Sequence, residues 1–171
     1  MEILPGDYIA GFVDGEGCFA LKFRRDIRRE RKNQPEYFYW GIEFAVLLRG
    51  DDRPLLEGIK ATLGCGHISI NRSEAARYAV NRLDDLVNKI VPFFERYPLH
   101  GKKRFDYELW REAVQIFKRS QQATIIGKGE RRFRKKMWTS ADQQRLKEIY
   151  EEMKNYKSKR SAEWKWLHKL N

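Results

Sequence analysis

The stretch YIAGFVDGEG, residues 8–17, is the most informative part of this 171-residue chain. We expect it to form a helix in which Gly11 and Gly15, four residues apart, share one face. Each glycine costs a helix in water about 1 kcal/mol relative to alanine. That cost is explained if a second backbone approaches the glycine face closely, because small residues four apart allow two helices to do so. The alternative is an ordinary buried helix that ends in a loop.

The end of this helix places an acid where a bound metal ion would stabilise its negative charge. We expect the helix to end at Gly15, Glu16 and Gly17. The carboxylate of Glu16 would then face the negative end of the helix dipole, which is unfavourable by about 0.3–1 kcal/mol. A divalent cation would remove that penalty, so Glu16 is a candidate metal ligand. Considered without its neighbours, it would be an ordinary surface acid at a turn.

The segments after the helix alternate in polarity and predict strands. Residues 18–25 and 37–48 each place apolar side chains at every second position, as half-buried strands do. The polar stretch between them, 26–36, predicts the charged tip of a long hairpin. Residues 66–71 and 76–82 predict a second hairpin.

Helical spacing predicts the remaining elements. Asp51 to Pro54 is typical of a helix start, and Gly64 would end that helix. Further helices are expected from residue 83, over 103–119, and after a capping box at Ser140 to Gln143. The sequence therefore predicts an α+β fold, with a four-stranded antiparallel sheet backed by helices. We divide it into a core domain, residues 1–125, and a basic loop with a C-terminal helical extension, residues 126–171.

The charge of the chain points to an anionic partner. It has 35 Lys and Arg against 24 Asp and Glu, a formal charge of +11. A compact domain this basic attracts polyanions, so DNA, RNA and anionic membranes are open at this point, as is a merely solvated basic surface. No apolar run is long enough to span a membrane, and the N-terminus lacks a signal-peptide pattern. We therefore expect no membrane association and a cytoplasmic or organellar location, where the two cysteines stay reduced.

Residues 9–17, IAGFVDGEG, resemble the nine-residue signature of the LAGLIDADG homing endonucleases. Glu16 stands where many members have Asp and some have Glu. The predicted order of elements over residues 4–120, αββαββα with a further helix, also resembles the family fold. The resemblance implies a site-specific endonuclease that hydrolyses phosphodiester bonds of double-stranded DNA. Since the chain has one copy of the signature, it also implies a homodimer acting on a long pseudo-palindromic target.

The resemblance assigns roles to particular residues. It implies that Glu16 is the catalytic acid and metal ligand, with the carbonyl of Gly15 beside it. The implied metal is Mg²⁺, with Mn²⁺ as a substitute and Ca²⁺ as an occupant that does not support cleavage. Lys103, with Lys102 as the alternative, corresponds to the basic residue near the scissile phosphate. Members often have a Gln at the end of the second strand, where this chain has none, and Arg49 is its candidate replacement. The implied dimer interface consists of Ala10, Gly11, Asp14 and Gly15.

The polar face of the predicted sheet is the candidate DNA-binding surface. A two-stranded ribbon fits the major groove, where Arg and Lys recognise guanine, and a basic hairpin tip would contact phosphates. The basic run 128–136 would contact phosphates as well, unless it is only a solvated loop. The predicted DNA-binding residues are Lys22, Arg24, Arg25, Arg28, Arg29, Tyr39, Glu43, Arg49, His67, Ser69, Asn71, Arg72, Arg77, Lys135 and Lys136.

Other functions compete with this hypothesis. The main alternative is a cleavage-deficient maturase that binds intron RNA and assists splicing, and metal-dependent cutting would separate the two. A transcription regulator of the same family would need a second signature and a further DNA-binding domain, and an intein would need splicing residues that are not evident. Cys18, Cys65 and His67 lack the spacing of a zinc site and are expected to be core and sheet residues.

Overall fold

The computed structural model describes residues 3–27, 36–71, 74–122 and 138–155. The chain begins with a helix and a long hairpin and continues with a second helix and a second hairpin. The described elements after the second hairpin are helices. The elements are α1 (Gly6–Glu16), β1 (Gly17–Ile27), β2 (Glu36–Arg49), a 3₁₀ turn (Gly50–Asp52), α2 (Arg53–Leu63), β3 (His67–Ile70), β4 (Ala75–Val80), α3 (Leu83–Asp85), a π-helical turn (Leu86–Ile90), α4 (Val91–Arg96), α5 (Lys103–Gln122) and α6 (Ser140–Asn155).

The strands form one four-stranded antiparallel sheet in the order β1-β2-β4-β3. The long hairpin is in register from Gly17 opposite Val46 to Ile27 opposite Glu36. Both hairpins, the α+β class and the order of elements predicted from sequence periodicity are confirmed. The predicted hairpin tip lies mostly outside the described residues, which omit 28–35.

One face of the sheet is packed against the helices. Strand alternation directs Phe19, Phe23 and Phe44 to this face, and each is 0% exposed. The ring of Phe19 lies 5.1 Å from that of Trp110 on α5 and 5.4 Å from that of Phe94 on α4. Aromatic side chains bury large areas and favour such tilted and edge-on pairs. The opposite face of the sheet is the polar one.

Local signals set the helix boundaries. Gly64 ends α2 with φ of +63°, a left-handed conformation that glycine adopts without steric cost. The capping box predicted at Ser140 is wrong by one residue. The amide of Asp142 donates to the hydroxyl of Thr139 over 3.0 Å, and the amide of Thr139 donates back to the Asp142 carboxylate over 3.5 Å. The Thr139 side chain therefore satisfies one of the free N–H groups at the start of α6.

Helix α6 packs into the same hydrophobic core as the elements before it. Leu146 and Ile149 are 0% exposed, and the ring of Tyr150 lies 5.9 Å from that of Trp40 on β2. At the surface, Arg145 donates to Glu112 of α5 over 2.7 Å. The proposed boundary at residues 125 and 126 lies outside the described residues and stays a prediction. Among the described helices, none combines the length and the apolar character needed to cross a membrane.

Candidate functional site

The end of α1 is shaped by a tight helix-to-strand transition. Glu16 is the last residue of α1 and is exposed, whereas the next residue, Gly17, is buried and begins β1. A Cβ at Gly17 would lie 2.4 Å from Cγ1 of Val13 and 2.7 Å from its carbonyl oxygen. Only a glycine fits there without displacing the helix. Gly17 therefore allows the chain to turn directly into the sheet while the Glu16 carboxylate stays in solvent.

Glu16 lies at the rim of an open cleft of about 750 Å³. The cleft is also lined by the end of β2, the 3₁₀ turn and the start of β4. Arg49, the candidate replacement for the family glutamine, is among the lining residues, and its guanidinium lies 3.1 Å from the carboxylate of Asp51. The structure thus brings Glu16 and Arg49 to one cleft. Its lining residues are Glu16, Leu47, Leu48, Arg49, Gly50, Asp51, Asp52, Glu74 and Ala75.

Asp14 connects α1 to the loop before α5. Its Oδ2 accepts hydrogen bonds from the backbone amides of His100, over 2.8 Å, and Gly101, over 3.1 Å. Lys102 and Lys103, the two candidate basic residues, follow directly: Lys102 is in the turn before α5, and Lys103 is the first residue of α5. Lys102 is exposed and Lys103 is half-buried. The contact therefore fixes the start of α5, with both lysines, to the helix that ends in Glu16. Sequence spacing contains no signal for a contact between residues 86 positions apart.

The four residues predicted for the dimer interface differ in what they present to solvent. Gly11 and Gly15 are exposed, and a Cβ at either would have nothing within 4 Å in its own chain. Ala10 is 4% exposed and belongs to the core of its own chain. Asp14 is half-buried and bonded to the loop before α5. Within one chain, it is therefore the two glycines that form an open helix face.

The polar face of the sheet carries most of the predicted DNA-binding residues. Those that are exposed are Arg24, Tyr39, Arg49, His67, Ser69 and Asn71, whereas Lys22 and Arg77 are half-buried. The side-chain oxygen of Asn71 accepts from the amide of Ala75 over 2.9 Å and so closes the turn between β3 and β4. Strand alternation places Arg25 on the other face, with Phe23. The predicted residues Arg28, Arg29, Arg72, Lys135 and Lys136 lie outside the described residues.

Among the described residues of this face that were predicted to bind DNA, Glu43 is the buried one, at only 8% exposed. Its Oε1 accepts from Nζ of Lys22 over 2.7 Å and from a guanidinium nitrogen of Arg77. Burial raises the pKa of the Glu43 carboxyl, but the hydrogen bonds and charges of Lys22 and Arg77 outweigh that effect and hold this pKa below its ordinary value. Sequence alternation predicted the face of Glu43 but not its burial or its two partners.

The cysteines have structural surroundings. Cys65 is buried, and the hydroxyl of Tyr78 donates to its carbonyl oxygen over 3.0 Å. Burial raises the pKa of the Cys65 thiol, which makes it a poor nucleophile. His67 is in β3, and Cys18 is exposed at the start of β1. Cys65 is thus the core residue that the sequence predicted, and His67 and Cys18 are sheet residues.

Comparison with known proteins gives the family. A model of the LAGLIDADG endonuclease family matches residues 9–114. The chain belongs to this family. The match begins in α1, which ends in Glu16, and extends into α5, so it includes both ends of the Asp14 contact.

Individual relatives agree with this assignment. The chain is 33% identical to the "Probable intron-encoded DNA endonuclease 1" of Mycosarcoma maydis over 106 residues, 62% of this chain and 35% of that protein. It is 28% identical to the homing endonuclease I-ApeII of Aeropyrum pernix over 117 residues, 66% of this chain and 64% of that protein. The chain thus spans about a third of the first relative and less than two thirds of the second.

Solved structures show the same fold. The homing endonuclease I-TnaI is 25% identical, with a TM-score of 0.72 over 99% of this chain and 96% of that one. I-SmaMI, bound to uncleaved DNA in the presence of calcium ions, is 20% identical, with a TM-score of 0.73 over 98% of this chain and 49% of that one. The predicted fold and family are thereby confirmed.

Proposed function

We propose that this LAGLIDADG protein is an intron-encoded homing endonuclease that cuts double-stranded DNA at a specific site as a metal-dependent homodimer. The observation that carries the proposal is the position of Glu16. Its exposed carboxylate ends the signature helix at the rim of an open cleft, next to the polar face of the sheet. A carboxylate there can hold a metal ion next to a phosphate of a duplex that lies along this face.

The residues present fit a divalent metal shared with DNA. The described residues contain no group of three or more His, Cys, Asp and Glu side chains that could enclose an ion. Mg²⁺ does not require such a cage, because it keeps several waters and binds through one or two carboxylates and substrate phosphates. Glu16 supplies one carboxylate at the negative end of α1. The carbonyl of Gly15 is among the last four of α1, which have no partner within the helix.

The proposed roles of the residues follow from these positions. When bound, Mg²⁺, or Mn²⁺ in its place, activates water and stabilises the leaving oxygen of the phosphodiester. Ca²⁺ would bind the same oxygens without supporting cleavage. Glu16 and Gly15 hold the ion, and Lys103 or Lys102 places a positive charge next to the scissile phosphate. Arg49, which lines the same cleft as Glu16, would orient the attacking water.

The open glycine face of α1 supports the homodimer. Gly11 and Gly15 leave room for a second backbone, and Tyr8 and Phe12 stack beside them with ring centroids 6.3 Å apart. Pairing two copies of α1 would bring two Glu16 carboxylates together, one for each DNA strand. The lengths of two solved structures support this proposal. The chain aligns with 96% of I-TnaI but with only 49% of I-SmaMI, so two copies of this chain would together match the length of one I-SmaMI chain.

The polar sheet face supports DNA as the partner. Its exposed Arg24, Tyr39, His67 and Ser69 can contact base edges and phosphates in a groove. Each phosphate neutralised by a Lys or Arg releases counterions, so binding should weaken steeply with salt. A formal charge of +11 per chain agrees with such binding.

The test is cleavage of DNA by the wild type and by Glu16→Gln, with and without Mg²⁺. The substrate is the uninterrupted host-gene junction, or a randomised plasmid library where the junction is unknown. Asp7→Asn is the matched control, because Asp7 is an exposed acid in the first turn of the same helix. We expect cutting that needs metal, survives in the control and is lost in Glu16→Gln. Tight binding without cutting in Mg²⁺ or Mn²⁺ would contradict the proposal and favour a maturase that binds intron RNA.

A further inference from the structure

Glu43, Lys22 and Arg77 form a connected charge cluster on the polar face of the sheet. The three residues come from the adjacent strands β2, β1 and β4, and both cations donate to the same oxygen, Oε1 of Glu43. The side chain of Glu43 is 11% exposed, whereas those of Lys22 and Arg77 are 26% and 31% exposed. The acid is therefore held beneath two cations that still reach solvent, and a ligand on this face meets the cations first.

The strand register explains how these side chains meet. Lys22 is opposite Gly41, which has no side chain, so Lys22 is free to lean along the strand towards Glu43. Arg77 is opposite Leu47, four residues from Glu43 along β2. The row between them is Ala45 opposite Ala79, exposed by only 4% and 0% although it lies on the polar face.

The small side chains of Ala45 and Ala79 leave space above them in which the side chains of Arg77 and Glu43 approach each other. The pairing is therefore built into the sheet, because larger residues at 45 and 79 would separate Arg77 from Glu43. An acid at this position also lowers the positive charge of a face that the proposed function requires to bind DNA. Phosphate affinity alone therefore does not account for an acid at this position.

We propose that Glu43 is a positioning residue for DNA recognition, which fixes the directions of Lys22 and Arg77 so that they meet base edges rather than the nearest phosphates. This inference rests on the proposed function. A free Lys or Arg loses rotamer freedom on binding, whereas one that is already held loses less. Fixed cations also discriminate between sequences, since recognition of guanine by Arg or Lys depends on geometry.

The experiment compares the wild type with Glu43→Gln, which keeps the size of the side chain and removes its charge. Binding is measured in EDTA between 50 and 200 mM salt, on a duplex selected by the wild type from a random library and on a scrambled duplex of equal length. We expect tighter binding of the scrambled duplex and a selectivity at least about fivefold lower, the lower limit for one base contact. One released cation should add a roughly 3.5-fold further loss of affinity across this salt range.

A second background separates positioning from general damage to the sheet. In a Lys22→Gln, Arg77→Gln protein, adding Glu43→Gln should leave selectivity unchanged, because the residues through which Glu43 acts on selectivity are gone. Glu43→Asp, which keeps the charge but is one methylene shorter, should show part of the effect and replaces Glu43→Gln if that variant does not fold.

Unchanged selectivity and salt dependence in a folded Glu43→Gln would overturn the inference, as would an equal effect on selectivity in the double-variant background. Failure of the proposed function is recognised separately, because the wild type itself would then bind neither duplex or show no preference.

Discussion

Asp14→Ala should destabilise the protein by releasing α5 from the signature helix. In the wild type, Oδ2 of Asp14 accepts the amides of His100 and Gly101, at 2.8 and 3.1 Å. Alanine removes both acceptor contacts, and the negative charge next to the start of α5 is lost with them. Because a negative charge near a helix N-terminus is stabilising, the substitution removes two kinds of favourable interaction.

The expected magnitude follows from these contacts. Hydrogen bonds to a charged acceptor are worth about 1.5–3 kcal/mol each, and both amides here are exposed, so water replaces part of that energy. We expect a net loss of about 2–3 kcal/mol including the interaction with the helix dipole. For a chain of this length, 1 kcal/mol corresponds to about 2–4 °C in Tm. Asp14→Ala should therefore lower Tm by roughly 5–10 °C.

The assay is thermal unfolding followed by circular dichroism, with amide hydrogen exchange as the local readout. Asp7→Ala is the control, because it makes the same exchange in the exposed first turn of α1 and gains similar helix propensity. The amides of His100 and Gly101 should exchange faster in Asp14→Ala only. Equal Tm values for the two variants, with both amides still protected in Asp14→Ala, would refute the reasoning.

Gly11→Ala should stabilise an isolated chain by up to about 1 kcal/mol through helix propensity yet weaken the dimer in sedimentation, whereas unchanged dimerisation would contradict the proposed interface. The lowered pKa of Glu43 contributes stability that is present above the ordinary pKa of 4.5 and is lost as pH falls through the folded-state pKa. In Glu43→Gln, the free energy of unfolding should therefore fall less steeply as the pH is lowered, and equal slopes in the two proteins would argue against this. Cys18 should react with a thiol reagent much faster than Cys65, which is buried and has a raised pKa, and equal rates would contradict the packing.

Much of the fold was predictable because its signals are local. Alternation in β1 and β2 reflects the opposite orientation of successive side chains in a strand, so the apolar face was correctly predicted. Gly64 ends α2 because glycine readily adopts the left-handed φ found there, which is a property of that residue alone. The capping box was placed one residue late because Ser140 and Thr139 are both good caps, and only the backbone geometry selects between them.

The candidate site was predictable where the signature carries it. Glu16 was identified from its place at a helix end, and the structure leaves it exposed at a cleft. Arg49 was inferred as a replacement for the family glutamine, and it lines the same cleft. The burial of Ala10 was not predicted, because helical spacing does not specify which stripe of α1 faces its own core; its place in the dimer interface stays a prediction.

By itself, the sequence determined the order of elements, the two faces of the sheet, the basic charge and the acid at the end of the signature helix. These depend on the identity and spacing of neighbouring residues. Tertiary structure alone decided that Asp14 holds the loop before α5 and that Glu43 is buried beneath Lys22 and Arg77. The physical reason is that both contacts join residues distant along the chain, so their energies depend on how the helices and strands pack together.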